Sequence, residues 1–141
     1  FPTRRSSDLR MEEVAAEVFV DGAHNPAGIR AFMDSVRAAE GLKPPILLFS
    51  VVSDKDYDEM VLYLTQGRIW DKVVICRMND KRTLEKETIK STFQKYGYEP
   101  LVKNSVAEAV RCAMDVKEKG QYIFAAGSLY FAGEILSLQK R

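Results

Sequence analysis

The feature that most constrains this chain is a regular alternation of short apolar runs with helical stripes. Residues 44–52 (PPILLFSVV) and 71–78 (DKVVICRM) are the continuous apolar runs expected of strands buried on both faces. Between them, residues 57–64 carry large apolar side chains at i, i+3, i+4 and i+7, which is the spacing of one helix face. A strand, a helix and a second buried strand in this order predict a right-handed crossover unit of a parallel sheet.

The same alternation continues on both sides of this unit. Three further strands are predicted over residues 14–20, 99–104 and 121–127, and the more polar one at 99–104 is expected nearer a sheet edge. Four further helices are predicted: one with its stripe at residues 29–36 that ends at Gly41, one capped by Thr83, one capped by Ser105, and one over residues 128–141. The pattern predicts an α/β fold, with a mostly parallel, Rossmann-like sheet of about five to six strands flanked by helices.

Composition narrows the class of partner. The 141 residues suit one domain, and the net charge of +1 is spread along the chain, which argues against a nucleic-acid partner. The sequence contains no apolar run of membrane-spanning length, so no membrane partner is expected. Cys76 and Cys112 lack metal or redox spacing. We therefore expect a cytoplasmic protein, and a monomer.

The first residues do not share the pattern. Residues 1–9 (FPTRRSSDL) have no periodicity and lack the apolar centre of a signal peptide. They resemble the in-frame translation of a sequencing-adapter oligonucleotide; a native disordered terminus is the other interpretation. We expect a non-native or disordered leader over residues 1–10 and a domain over residues 11–141 that belongs to a longer parent.

Candidate site residues follow the first predicted strand. Ligands of parallel sheets sit beyond the carboxyl ends of the strands, and Asp21 and His24 lie at such an end. Asn25 is placed to cap the next helix, with Pro26 in its first turn. An Asp here can accept hydrogen bonds from ribose hydroxyls, and a His can contact a phosphate or carboxylate. The residues alone leave open that Asp21 caps a turn and that His24 is a solvated loop residue.

Three other strand ends carry polar residues. Arg82 can hold a phosphate or carboxylate bidentately. Ser128 follows Gly127 in a tight turn, where its hydroxyl is either free for a ligand or a plain helix cap. Asp54 and Asp56 are more simply read as acids that favour a helix start.

Familiar nucleotide motifs do not occur in the sequence. It contains neither GxGxxG after the first strand nor GxxxxGK[ST], so neither a dinucleotide fingerprint nor a P-loop is present. No spacing of His, Cys, Asp and Glu predicts a metal site, and we assign none.

Three stretches together carry a family resemblance. DGAHNPAGI (21–29), SDKDYDEM (53–60) and AAGSLYFAGEI (125–135) resemble, in this order and spacing, the C-terminal domain of folylpolyglutamate synthase. That enzyme is often also a dihydrofolate synthase and belongs to the Mur ligase superfamily. The resemblance covers residues 11–141 and implies a Mur ligase-type C-terminal domain.

The resemblance implies an ATP-dependent ligase. In the family, ATP with Mg²⁺ phosphorylates a carboxylate of the folate, and the amine of L-glutamate attacks the acyl phosphate to form an amide. The P-loop, the Mg²⁺ ligands and a carbamylated lysine belong to a preceding ATPase domain, which we expect to be the partner of this one. The chain alone is therefore expected to be inactive.

The resemblance also implies roles for single residues. Asp21 and Asn25 correspond to contacts with ATP, and His24 to a catalytic residue where nucleotide and glutamate meet. Ser128 and Tyr130 correspond to contacts with the incoming glutamate.

Three further positions carry weaker implications. Arg82 is assigned to the substrate on its position alone. Lys55 and Asp56 match a family-typical element to which we assign no role. Relatives have an ATP-binding Arg shortly before the D-x-A-H-N-P motif, and Arg10 stands too close to Asp21 in sequence to be equated with it.

Two alternatives stay open. Another Mur-type amino-acid ligase would carry a D-N-P-R-like stretch, whereas MNDKR (78–82) lacks the proline. A stand-alone receiver-like binding module would need a Lys after the fifth strand, where this chain has Ala126, Gly127 and Ser128. The sequence leaves open the parent's dihydrofolate synthase activity and the length of its polyglutamate product.

Overall fold

The computed structural model describes residues 9–39, 43–53 and 56–139. Within these ranges the elements are β1 (Glu12–Ala15), β2 (Val18–Val20), α1 (Pro26–Ala38), β3 (Ile46–Phe49), α2 (Tyr57–Thr65), β4 (Lys72–Cys76), α3 (Lys86–Lys95), β5 (Leu101–Lys103), α4 (Val106–Val116), β6 (Ile123–Ala126) and α5 (Leu129–Gln139). In the described part of the chain, no helix has both the length and the apolar character that crossing a membrane requires.

The strands form one six-stranded sheet in the order β1-β2-β6-β3-β4-β5. All neighbouring pairs are parallel except β1 with β2, which is antiparallel. The last strand, β6, is inserted between β2 and β3 and pairs with both. The predicted mostly parallel α/β sheet is confirmed.

The predicted single strand over residues 14–20 is wrong, because these residues lie in a hairpin. Ala15 pairs with Val18, and Glu17 in the turn adopts a left-handed φ of 65°. Side-chain contacts hold this turn: the Glu17 N–H donates to Glu13 Oε2 at 3.1 Å, and Lys117 Nζ lies 2.7 Å from Glu17 Oε1. The turn contains no Gly, Asn or Pro, so the sequence carried none of the usual turn signals.

Apolar layers cover both faces of the sheet. Leu47 and Phe49 of β3 point into a core formed with α1, α2 and α3, while Ile46 and Leu48 point into a second core formed with α4 and α5. All four side chains are at most 1% exposed. This two-sided burial explains why β3 reads as an unbroken apolar run.

Two of the predicted helix caps are confirmed. Asn25 Oδ1 accepts the Gly28 N–H at 2.7 Å at the start of α1, and Ser105 Oγ accepts the Glu108 N–H at 3.1 Å at the start of α4.

The predicted cap at Thr83 is wrong. The helix begins three residues later, at Lys86, and the Thr83 hydroxyl instead accepts the Met78 N–H at 2.9 Å. Thr83 also forms an isolated antiparallel bridge with Val52. The predicted helix end at Gly41, the acid at Asp54 and the family-matched Lys55 lie outside the described residues.

The packed chain begins before the predicted domain start at residue 11. Leu9 is 2% exposed and belongs to the core beside α4 and α5. Its carbonyl oxygen accepts the Gly22 N–H at 3.2 Å. Leu9, assigned to the leader from sequence, therefore belongs to the folded domain.

Candidate functional site

The loops that follow the parallel strands meet at one edge of the sheet, which we call the carboxyl edge. Backbone hydrogen bonds join these loops in pairs. The Gly127 N–H donates to Ala23 O at 2.9 Å, and the Ser53 N–H donates to Arg82 O at 2.6 Å. The loops that carry the predicted site residues are therefore held against one another.

The loop after β2 lines a cleft of about 280 Å³, which we call the β2–α1 cleft. The cleft contains three of the predicted site residues, Asp21, His24 and Asn25. The structure therefore places the predicted nucleotide-contacting and catalytic residues on one surface.

Asp21 organises this loop. It is 6% exposed, and both carboxylate oxygens accept backbone N–H groups, from Ala23 at 2.8 Å and from Met11 at 3.1 Å. Burial raises the pKa of Asp21, and these hydrogen bonds and nearby Arg10 lower it in part. The turn-capping interpretation of Asp21 describes what the structure shows; a contact with nucleotide would use the remaining lone pairs and stays a prediction.

His24 and Asn25 differ in how much of each side chain is free. The half-buried His24 ring places Nδ1 3.0 Å from Gly22 O. A carbonyl can only accept, so Nδ1 carries a proton, and in the neutral ring Nε2 is the acceptor. Asn25 spends its amide oxygen on the helix cap, which leaves its NH₂ group for a ligand.

Arg10 also lines the β2–α1 cleft. From sequence, this residue was not equated with the ATP-binding Arg of the relatives. Arg10 is exposed and lies in the cleft together with Asp21 and His24. The β1–β2 hairpin folds the chain back, which places Arg10 beside Asp21 in the cleft. Recognition of the hairpin turn at Glu17 would have been the signal that brings them together.

Arg82 and Tyr130, predicted separately, are in contact. The Arg82 guanidinium carbon lies 4.2 Å from the centre of the Tyr130 ring. Asp80 Oδ1 accepts from the Arg82 backbone N–H at 2.8 Å and from Nε at 3.3 Å. The guanidinium is therefore held by an aromatic face and a carboxylate.

Ser128 caps α5. It is 2% exposed, and its hydroxyl oxygen accepts the Tyr130 N–H at 3.0 Å. The cap interpretation is thus realised in the structure, and the hydroxyl proton is the part of Ser128 that a ligand would use. Gly127, just before it, has a φ of 126°.

Glu134 was not singled out from the sequence. Its two carboxylate oxygens accept the Asn79 N–H at 3.3 and 3.1 Å, which ties α5 to the loop after β4. Burial raises the pKa of Glu134, and the hydrogen bond from Asn79 offsets part of that rise. The one available signal was an acid among the apolar residues of the last helix.

The fold and the site define the class of protein. It is a Rossmann-like α/β domain whose polar loops, with a cation and a half-buried His, gather at the carboxyl edge of a parallel sheet. A family model described as "Mur ligase, glutamate ligase domain" matches residues 9–129. The chain belongs to this family.

Relatives of known structure or function share the fold. The chain is 30% identical over 114 residues to the dihydrofolate synthase/folylpolyglutamate synthase of Mycobacterium tuberculosis, a match that covers 79% of this chain and 22% of that protein. The structure of Mycobacterium tuberculosis folylpolyglutamate synthase complexed with ADP matches with a TM-score of 0.85 at 24% identity, over 99% of this chain and 33% of that one. E. coli FolC in complex with ADP, without folate substrate, matches with a TM-score of 0.82 at 16% identity, over 96% and 31%. The chain thus spans 22% of the curated relative and 33% and 31% of these two solved chains.

Proposed function

We propose that this chain is the C-terminal part of an ATP-dependent ligase that adds L-glutamate to a folate through an acyl phosphate. Membership of the glutamate ligase domain family supports a ligase. The name of the curated relative supports folate as the acceptor, and that name covers dihydrofolate synthesis as well. ADP in two solved relatives supports ATP as the cofactor.

The observation that carries the proposal is the grouping of Arg10, Asp21 and His24 in the β2–α1 cleft. Arg10 supplies a cation that can pair with a phosphate, and the neutral His24 ring presents Nε2 as an acceptor for a hydroxyl group of the nucleotide. Asp21 holds that loop in shape through its two backbone hydrogen bonds. ATP, when bound, supplies the phosphoryl group that activates the folate carboxylate.

The residues do not fit Mg²⁺ in the same way. Within residues 9–39, 43–53 and 56–139, no group of three His, Cys, Asp or Glu side chains could hold a metal ion. We therefore place the Mg²⁺ ligands and the P-loop in a preceding domain of the parent enzyme and assign no metal ligand in this chain.

The incoming glutamate is assigned to the loops after β4 and β6. Asp80 and Tyr130 hold Arg82, whose guanidinium can pair with the carboxylate of the incoming glutamate. The Ser128 hydroxyl can donate to a second polar group of the same substrate. These residues would orient the amine for attack on the acyl phosphate.

Nucleotide binding by this chain tests the proposal. We expect ADP to shift the amide NMR signals of residues 21–28 and the Arg10→Met variant to weaken that binding roughly tenfold, because a charge-assisted hydrogen bond is lost. Arg111→Met, which removes an exposed Arg from α4, is the matched control and should bind ADP as before. ADP shifts confined to other loops, or equal losses in both variants, would refute the assignment.

Ligation is tested separately. The chain alone should release no phosphate with ATP, folate and L-glutamate, and joining it to the ATPase domain of its parent should restore turnover. Glutamate-dependent phosphate release by the chain alone would contradict this division of labour. If the joined enzyme ligates an amino acid to a different acceptor and not to folate, the alternative Mur-type ligase is correct.

A further inference from the structure

A second and larger cleft lies at the opposite edge of the sheet from the candidate site. It has a volume of about 600 Å³ and lies between the end of α1, the segment that leads into β3 and the turn between α2 and β4. We call it the basal cleft; the argument uses its charged residues Arg37, Lys43, Arg68 and Asp71 and its apolar wall of Trp70 and Phe124.

Two guanidinium groups in the basal cleft lack a neutralising partner among the described residues. Arg37 is exposed and has no hydrogen bond or ion pair within the described ranges. Arg68 donates only to backbone carbonyls, those of Tyr96 at 3.4 Å and Gly97 at 3.2 Å, and its guanidinium carbon lies 5.0 Å from the centre of the Tyr98 ring. Carbonyl groups orient a guanidinium but leave its positive charge uncompensated.

The other two charges of the basal cleft are already paired. Asp71 Oδ2 accepts from Gln121 Nε2 at 2.8 Å and from Lys72 Nζ at 3.3 Å, and these bonds lower the pKa of Asp71. Lys43 donates to a backbone carbonyl at 2.8 Å and lies 3.7 Å from Glu118. Among the residues that the structure describes, the unpaired positive charge of the basal cleft therefore rests on Arg37 and Arg68.

The remaining wall of the basal cleft is apolar. Trp70 is 5% exposed and Phe124 2% exposed, and their ring centres are 6.3 Å apart. A volume of this size is far larger than one inorganic ion needs and falls within the roughly 300–1,000 Å³ typical of small-molecule clefts. Guanidinium groups pair bidentately with carboxylates and phosphates, and an aromatic wall suits a ring.

We propose that the basal cleft binds a small organic anion in which a carboxylate or phosphate group is attached to an apolar ring. Arg37 and Arg68 would pair with the anionic group, and the ring would lie against the accessible part of the apolar wall, which half-buried Ile69 and the exposed edge of Trp70 form. This site is separate from the β2–α1 cleft and does not depend on the proposed ligase activity.

Trp70 makes the test specific, because it is the chain's one tryptophan and lies in the wall of the basal cleft. We would titrate the 141-residue chain with benzoate, phenyl phosphate and inorganic phosphate while following tryptophan fluorescence. We expect a saturable change with at least one of the two ring compounds, and weaker binding of inorganic phosphate. Whichever ring compound binds more tightly identifies the anionic group.

Variants locate the binding. Arg37→Met should weaken binding of the ring compound roughly tenfold, because a charge-assisted hydrogen bond to the anionic group is lost. Arg37 is exposed, so its replacement should leave the fold intact. Arg68→Gln should act in the same direction, and Arg111→Met on α4 should leave binding unchanged. No saturable change with either ring compound, inorganic phosphate binding as tightly as both, or equal loss in the Arg37 and Arg111 variants would overturn the proposal.

Discussion

Gly127 lies where the loops after β3 and β6 approach each other closely at the carboxyl edge. Replacing it with alanine should be strongly destabilising. A Cβ at this position would lie 2.2 Å from Ser50 O and 2.9 Å from Phe49 Cε1. Neither neighbour can yield easily, since Phe49 is fully buried and the Ser50 hydroxyl donates to Cys76 O at 2.6 Å. The φ of 126° adds strain, because L side chains rarely adopt it.

The expected loss of stability combines the backbone strain at Gly127 with the steric overlap of the added Cβ. A backbone in a sparsely populated region costs about 1–3 kcal/mol, and an overpacked contact costs about as much again. We expect Gly127→Ala to lower the free energy of unfolding by about 3–5 kcal/mol, a large part of the roughly 5–15 kcal/mol that stabilises a domain. Gly120→Ala is the matched control: its φ of 81° is also left-handed, but no heavy atom lies within 4 Å of the added Cβ. That control should cost only about 1 kcal/mol.

Urea denaturation followed by Trp70 fluorescence measures both variants. A second measurement uses the Gly127 N–H, which donates to Ala23 O, so Gly127→Ala should also shift the NMR signals of residues 22–24 while Gly120→Ala leaves them in place. If the free energies of unfolding of the two variants differ by less than about 1 kcal/mol, the close approach of the loops after β3 and β6 does not make Gly127→Ala as destabilising as we expect.

Four further predictions concern single side chains. Asp21→Ala should lower the free energy of unfolding by about 1–3 kcal/mol, because two backbone N–H groups lose their acceptor, and an unchanged melt would contradict the geometry. In the parent enzyme that we propose, the same variant should also weaken ATP binding. His24→Ala should lower the turnover of the proposed parent ligase at an unchanged melting temperature, and normal turnover would mean that His24 has no catalytic role. Cys76 is buried and burial raises its pKa to about 12, so it should resist alkylation in the folded chain, while half-buried Cys112 should react. Mass spectrometry can follow both reactions, and equal rates of alkylation would show that the core opens readily. Ser105→Ala should cost about 1 kcal/mol in urea denaturation through loss of the cap on α4, and no change would mean that water replaces it.

The parts of the fold that could be predicted from the sequence are those determined by residues close together in the chain. The buried strands β3 and β4 could be read directly, because burial on both faces leaves no polar positions in a strand. The caps at Asn25 and Ser105 could be read because a capping side chain bonds within its own turn. Asp21, His24 and Asn25 lie close together in the sequence, so they could be assigned to one loop.

The parts that escaped prediction depend on contacts distant in sequence. The turn at Glu17 is held by Lys117, one hundred residues away in the chain, and Arg10 joins the candidate site only because that turn exists. Thr83 is the exception: its hydroxyl accepts the N–H of nearby Met78, in the loop after β4, instead of capping a helix. Glu134 meets Asn79 across two layers of the fold, and a single sequence gives no sign of such a pairing.

The insertion of β6 between β2 and β3 sets the order in which the domain can be completed. Val18 pairs with Ile123, more than 100 residues later, and the same Ile123 pairs with Ile46. Until β6 arrives, β2 and β3 each present an unpaired strand edge to solvent, and closing the intervening loop costs entropy before the contacts form. During synthesis β2 and β3 leave the ribosome well before β6 does. Between the emergence of β3 and that of β6, the nascent domain therefore carries two exposed strand edges, which favours association with chaperones or with other unfinished chains.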